Sequence, residues 1–258
     1  MNQKKFNHKR KFGQNFLLNE KIILQIVNSI DYQKDSQIIE IGPGLGALTK
    51  HIVKKCNPII IEIDSSAIEH IKKNISEDIT IIHADFLKIN LKPVLKKKNI
   101  IIGNFPYNIS TQIIFKILEH KNKVQTVIGM FQKEVSERIC SSPGSKKYGI
   151  TSVLVQAYYN TKILFNVDRE NFFPKPKVES TVIKLTRNKT RKINCDESVF
   201  ISLVKQSFNL RRKKLKNSLK SVLLNFEKID LDLLNKRAED LSVEEFIKLT
   251  NLITKNES

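Results

Sequence analysis

The chain has 258 residues, 40% of them hydrophobic, which suits one large domain or a domain with a small appendage and excludes wholesale disorder. Forty-five Lys and Arg against 26 Asp and Glu give a formal charge of +19. No apolar run reaches the roughly 18 residues of a membrane span, and no signal-peptide core follows the basic start. Three distant cysteines (Cys56, Cys140, Cys195) make neither a disulfide framework nor a CxxC metal site, so reduced thiols in a cytoplasmic protein are expected. The five histidines show no ligand spacing, and no metal is expected.

The first two-thirds alternates short β-branched runs with amphipathic stretches. A strand is predicted over 37–41, ending in a glycine cluster, then a helix over 45–56. A strand over 58–63, a helix over 65–75 and strands over 79–83 and 99–103 follow. Ser110 is read as the N-cap of a helix reaching 119, then a strand over 124–130 and a helix over 131–140. Residues 141–145 form a loop by composition, and two more strands fall near 162–166 and 178–186. Apolar strands alternating with helices imply a doubly wound α/β domain with a parallel sheet. After Thr186 a polar, basic linker leads into helical periodicity, with Val199, Leu203 and Val204 on one stripe and Leu215, Leu219, Val222 and Leu223 on another. Ser242-Val243-Glu244-Glu245 fits a capping box before a helix carrying Phe246, Leu249 and Ile253. The expected division is 1–194 for the α/β domain with its basic arm and 195–258 for a small helical domain.

Part of the charge reflects an Ile-, Asn- and Lys-rich composition with only eight arginines, the mark of an AT-rich genome. The rest is concentrated. Residues 1–14 carry +5 and residues 205–220 carry +7, neither with an acid. A lysine run is often only a solvated surface, but two such runs flanking a catalytic-looking middle favour nucleic acid. Lys9, Arg10, Lys11, Arg211, Arg212, Lys213 and Lys214 are the candidate RNA-binding residues.

Gly42, Gly44 and Gly46 lie where the first of these strands turns into its helix, and Glu62 follows Gly42 by twenty residues, placed to accept ribose hydroxyls. Gly42, Gly44 and Ala47 also fit the relaxed dinucleotide pattern, so an NAD enzyme stays open at this step. Asp85 can accept from an adenine amino group, with Phe86 beside it. Acids after two strands, with no clear pyrophosphate partner, suit a nucleoside carrying a sulfonium, S-adenosyl-L-methionine. Asn104-Phe105-Pro106-Tyr107 follows the next strand. The Asn104 side-chain oxygen and the Pro106 carbonyl can grip both N–H bonds of an adenine amine and aim its lone pair at a methyl group. Tyr107 offers a face for an extruded base. Phe172 could sandwich that base from the other side, although an aromatic before a proline turn often packs only in a core.

With these residues assembled, nearly the whole chain resembles the bacterial small-subunit (16S) ribosomal RNA adenine N6,N6-dimethyltransferases of the KsgA/RsmA type. The likeness rests on Lys11-Phe12-Gly13-Gln14-Asn15-Phe16-Leu17, on Gly42, Glu62, Asp85 and Asn104, and on Phe172-x-Pro174-x-Pro176-Lys177-Val178. It extends to Phe208-Asn209-x-Arg211-Arg212-Lys213 and Arg237-Ala238-Glu239-x-Leu241-Ser242. Phe105, often Leu in relatives, is a mild departure. The resemblance implies a Rossmann-like class I S-adenosylmethionine-dependent methyltransferase sheet with a small C-terminal α-helical domain. It places Asn15, Leu17, Gly42, Glu62, Asp85 and Asn104 around the cofactor, and Asn104, Pro106, Tyr107 and Phe172 around the target base. The implied substrate is 16S rRNA within the immature 30S subunit, dimethylated at two adjacent adenosines of its 3′-terminal hairpin loop by a monomer without membrane attachment. The alternatives are an Erm-type 23S rRNA adenine N6-methyltransferase and a non-catalytic ribosome-assembly factor.

Overall fold

The computed structural model describes residues 15–190, 192–220 and 231–255. Lys9, Arg10, Lys11, Val222 and Leu223 lie outside the described residues. The chain divides into two compact units, 1–136 with 162–186 and 137–161 with 187–258.

The first unit is built on β-branched runs. Strands β1 (Phe16–Leu17), β2 (Gln37–Ile41), β3 (Ile59–Glu62), β4 (Thr80–His83), β5 (Asn99–Asn104) and β6 (Val124–Gln132) alternate with helices α1 (Glu20–Asn28), α2 (Thr49–Ile52), α3 (Ser65–Asn74) and α4 (Ser110–Glu119). Helix α5 (Lys133–Ile139) follows, and β7 (Tyr159–Val167), β8 (Phe172–Phe173) and β9 (Ser180–Arg187) complete the strands. Seven strands form one sheet in the order β4-β3-β2-β5-β6-β9-β7. From β4 to β6 neighbours run parallel, but β9 runs antiparallel to β6, so the sheet is not wholly parallel as the alternation suggested. All five residues of β2 are buried, Gln37 and Glu40 among them, as a strand covered on both faces requires.

Helix α1 escaped the sequence reading. Asn19 caps it by accepting from the Lys21 and Ile22 N–H groups, and Ile23, Ile26 and Val27 bury its inner face. Ser110 does not cap α4: it is the first helical residue, and its hydroxyl donates to the Tyr107 carbonyl at 3.2 Å. The helix read over 45–56 is regular only over Thr49–Ile52, because i→i−3 bonds such as His51 to Leu48 and Lys55 to Ile52 interrupt the i→i−4 ladder.

The second unit contains α6 (Ile150–Gln156), α7 (Glu197–Asn209), α8 (Leu215–Ser218), α9 (Leu231–Asn235) and α10 (Val243–Lys255). Its boundary differs from the compositional shift at 194/195 because residues 137–161 belong to it. The Tyr148 ring lies 6.4 Å from Phe208, which stacks on Phe246 at 6.1 Å, and the Gly144 N–H donates to the Glu239 carbonyl at 2.8 Å. A buried aromatic and a run of buried aliphatics in α6 tie this loop-flanked stretch to the helices, a pairing that composition does not show. The capping box of α10 forms, with Ser242 and Glu245 exchanging main-chain to side-chain bonds at 2.9 and 3.2 Å. Among the described residues no helix is long and apolar enough to cross a membrane.

Candidate active site

The chain leaves β2 for β3 and β4 on one side, then returns to place β5 on the other side of β2. This reversal is a topological switch point, and ligands of such sheets bind outside the carboxyl ends of the strands there. A cleft of about 360 Å³ opens at that place. Asn15, Leu17, Gly42, Glu62, Asp85, Asn104, Pro106 and Tyr107 all line it, so every expected cofactor residue meets the expected methyl-acceptor motif in one crevice.

On the cofactor side the polar groups are anchored by the chain itself. Gly42 and Gly44 have φ of +63° and +56°, a conformation that side-chain-bearing residues rarely adopt, and a Cβ on Gly44 would come within 3.0 Å of the Phe16 ring. Glu62, 5% exposed, accepts from the Ile63 and Asp64 N–H groups at 2.8 and 2.9 Å through Oε1, and from Gly44 at 3.2 Å through Oε2. Three of its four lone-pair positions are thereby filled, leaving one on Oε2. Burial pushes its pKa up more than these three donors pull it down. Asp85 Oδ1 accepts from the Leu87 N–H at 2.9 Å, and Phe86 beside it is buried in the cleft wall.

Sequence reading passed over Glu40. It is fully buried, lines the same cleft, and accepts from the Thr49 hydroxyl at 2.7 Å. Burial, reinforced by the nearby Glu62 carboxylate, pushes its pKa up to about 8. The available signal was a lone acid among the three isoleucines of β2.

On the substrate side each group is tied at one end and open at the other. Asn104 Nδ2 donates to the Asn15 carbonyl at 2.8 Å, which fixes the amide and leaves Oδ1 as the open end. Phe105, 1% exposed, anchors the turn by an edge-to-face contact with Phe131 at 5.1 Å. The Pro106 carbonyl accepts from the Ile109 N–H at 3.1 Å, so one of its two lone pairs remains. The Tyr107 hydroxyl bonds Ser180 Oγ at 2.5 Å, and Ser180 is wholly buried at the start of β9. That tether holds the phenol ring from a point 73 residues away, beyond the reach of sequence reading.

Phe172 is a correction. It pairs with Leu17 across the β1–β8 ribbon, is 4% exposed, and packs in the core with Val167 and Val182 rather than lining the cleft. Alternation along the strand turns Phe173 outward instead, 52% exposed. The basic segment of the helical unit is not among the residues lining the cleft and falls between two helices of its own unit. Arg211 to Lys214 form a turn between α7 and α8, not a helix. Arg211 Nε bonds Glu239 at 2.6 Å and its guanidinium also donates to the Lys146 carbonyl, whereas Arg212, Lys213 and Lys214 are exposed. Among the described residues no cluster of three or more His, Cys, Asp and Glu could hold a metal.

A switch-point cleft with glycine turns, an acid after each of two adjacent strands and an Asn-x-Pro-Tyr turn after the next defines a Rossmann-like class I methyltransferase. The solved structures agree on the fold: a dimethyladenosine transferase from Plasmodium falciparum superposes with a TM-score of 0.81 over 94% of this chain and 98% of its own, at 24% identity. The 23S rRNA methyltransferase ErmE superposes at 0.67 over 92% of this chain and 100% of its own, at 21% identity. The chain belongs to the ribosomal RNA adenine dimethylase family, whose model matches residues 5–255. It is 44% identical to the ribosomal RNA small subunit methyltransferase A of Cytophaga hutchinsonii, covering 97% of this chain and 98% of that protein. It is 46% identical to that of Flavobacterium johnsoniae, covering 96% and 97%. Membership also removes the dinucleotide reading of Gly42, Gly44 and Ala47.

Proposed function

We propose that this chain dimethylates N6 of two adjacent adenosines in the 3′-terminal hairpin loop of 16S rRNA, acting as a cytoplasmic monomer on the immature 30S subunit. Family membership, the small-subunit names of its relatives and the turn Asn104 to Tyr107 at the mouth of the cleft support this reading.

The cleft fits S-adenosyl-L-methionine: its volume is in the range of small-molecule sites, and the buried Glu62 keeps one acceptor position open for a ribose hydroxyl. Asn15, Leu17, Gly42, Glu62, Asp85 and Asn104 would hold it, Glu62 through its open Oε2 position. When bound, it supplies an electrophilic methyl group on sulfur. The rest is done by the chain. In the first transfer Asn104 Oδ1 and the remaining lone pair of the Pro106 carbonyl accept the two N–H bonds of the target amine, and in the second one of them holds the single N–H that is left. This draws its lone pair out of the ring plane and aims it into the cleft. The amine attacks before it loses a proton, so no side chain need act as a base first. As the N–CH3 bond forms and the S–CH3 bond breaks, the nitrogen becomes cationic and acidic and gives its proton to solvent. Tyr107, steadied by Ser180, gives the extruded base a face on which to stack, worth about 1–3 kcal/mol. Positioning then carries most of the rate.

The observation that carries this reading is the Asn104 amide, fixed by the Asn15 carbonyl so that its oxygen is the open end. The test is a labelled-methyl assay on immature 30S and 50S particles, with the modified nucleotides identified by mass spectrometry. Two dimethyladenosines in 16S rRNA are expected. Label in 23S rRNA alone supports the Erm-type alternative, and no label in either supports a non-catalytic assembly factor.

A further inference from the structure

The cleft occupies the carboxyl ends of β2 and β5. The opposite end of the same parallel strands carries a different feature. The loop over 92–98, which leads into β5, holds Lys92, Lys96, Lys97 and Lys98, and the turn over 120–123, which leads into β6, holds Lys121 and Lys123. Their placement is built rather than incidental. Asn99, wholly buried, donates through Nδ2 to the carbonyls of Lys96 and Lys123 at 2.9 and 2.8 Å and accepts the Lys96 N–H at 3.1 Å. Gln37 Nε2 reaches the Val94 carbonyl at 2.8 Å and Asn99 Oδ1 at 3.2 Å. Lys123 Nζ contacts the Leu95 carbonyl at 3.3 Å. Two buried amides thus lace two lysine-bearing segments into one surface.

Elsewhere in this unit Lys50, Lys133 and Lys175 each face a carboxylate. Lys92, Lys96, Lys97 and Lys123 are exposed and have no such partner among the described residues. With the adjoining turn over 31–36, this end holds seven lysines against three carboxylates (Asp31, Asp35, Glu119). Burial lowers the pKa of His120 at its centre, and Lys116, Lys123 and Lys92 lower it further against the pull of Glu119. Holding unneutralised cations together costs self-repulsion, which a polyanion relieves by releasing its counterions. Neither lysine segment contains Phe, Tyr or Trp, the residue types enriched in protein–protein interfaces; Tyr32 of the adjoining turn packs against the core, and lysines meet phosphates as mobile point charges.

We propose that this surface, at the amino ends of β2, β5 and β6, docks on the phosphate backbone of a ribosomal RNA segment distinct from the methylated loop. The six residues of β5 separate it from the cleft by about 20 Å. The enzyme would therefore meet its particle at two places on one rigid sheet. The choice of RNA rests on the function proposed above.

The experiment replaces Lys92, Lys96, Lys97 and Lys123 together by Gln in the full chain, all four being exposed. Binding to immature 30S particles is measured between about 50 and 200 mM salt. The expected result is a slope of log K against log salt shallower by about two to three, since each released phosphate contact contributes close to one. Affinity at low salt is expected to fall at least tenfold, with turnover on saturating particles unchanged. A Lys97→Cys variant carrying a photo-crosslinker is expected to form adducts with 16S rRNA. An unaltered salt slope overturns the proposal, and adducts confined to ribosomal proteins overturn RNA as the partner. Methyl transfer by the wild type to the same particles is read separately. Its absence, with the slope still reduced in the variant, removes the functional reading and leaves this surface standing.

Discussion

The two walls of the cleft are stabilised differently. Around Glu62 the carboxylate is nearly saturated by three main-chain donors, so this wall is a finished scaffold with a single acceptor position left. Around Asn104 each group is held by the chain on one side only: the amide nitrogen is tied and its oxygen open, and the Pro106 carbonyl is half used, as the proposed reaction requires. A wall that binds can be saturated because its ligand needs only a shape and a few contacts. A wall that reacts must keep lone pairs unspent while still being rigid, and it achieves this by tethering each group from behind.

This contrast should split variants into kinetic and binding classes. Asn104→Ala removes the acceptor proposed for the reacting amine, and transfer is expected to fall on the order of 100- to 1000-fold in single-turnover assays. Glu62→Gln keeps the volume but replaces one acceptor oxygen by a donor facing main-chain N–H groups. Cofactor affinity by calorimetry is expected to drop about 10- to 100-fold, with the rate at saturation largely recovered. Ser180→Ala frees the Tyr107 ring without touching either ligand, and about a tenfold loss of kcat with unaltered cofactor affinity is expected, rescued by Ser180→Thr. A Ser180→Ala variant that lost cofactor affinity instead would merge the two walls.

The smallest effect concerns pH. Glu40, with its pKa raised to about 8 by burial, holds a proton that an unfolded carboxyl releases near its ordinary value of 4.5. Between those limits the folded chain binds more protons than the unfolded one, so its stability falls as pH rises from about 5 to 8. Melting curves of the ligand-free protein should therefore drop over that range, and Glu40→Gln should flatten the drop by several degrees, roughly 5 °C.

Much of this was legible in the chain. The run from 37 to 46 declared its strand and glycine turn because three isoleucines in five residues followed by clustered glycines have few other uses. The candidate residues Gly42, Glu62, Asp85 and Asn104 followed from their places at or just after strand ends. What stayed hidden depended on long-range pairing. The contact of Ser180 with Tyr107 and that of the Asn15 carbonyl with Asn104 join positions 73 and 89 residues apart, and no local pattern encodes either. Phe172 was ambiguous for the same reason, since only its register opposite Leu17 decides that it faces the core. Arg211 stood out as one more cation in a basic run, while its Glu239 partner lay 28 residues ahead. The break at 194/195 followed composition, but units are defined by packing, and the aromatic contact of Tyr148 with Phe208 draws an earlier segment into the helical unit.

The most direct trial places Asn104→Ala and Glu62→Gln side by side in single-turnover transfer to pre-bound immature 30S particles, each at saturating cofactor. Glu62→Gln is expected to return close to the wild-type rate while Asn104→Ala stays at least a hundredfold slower. Equal rates for Asn104→Ala and the wild type would contradict the proposed acceptor role.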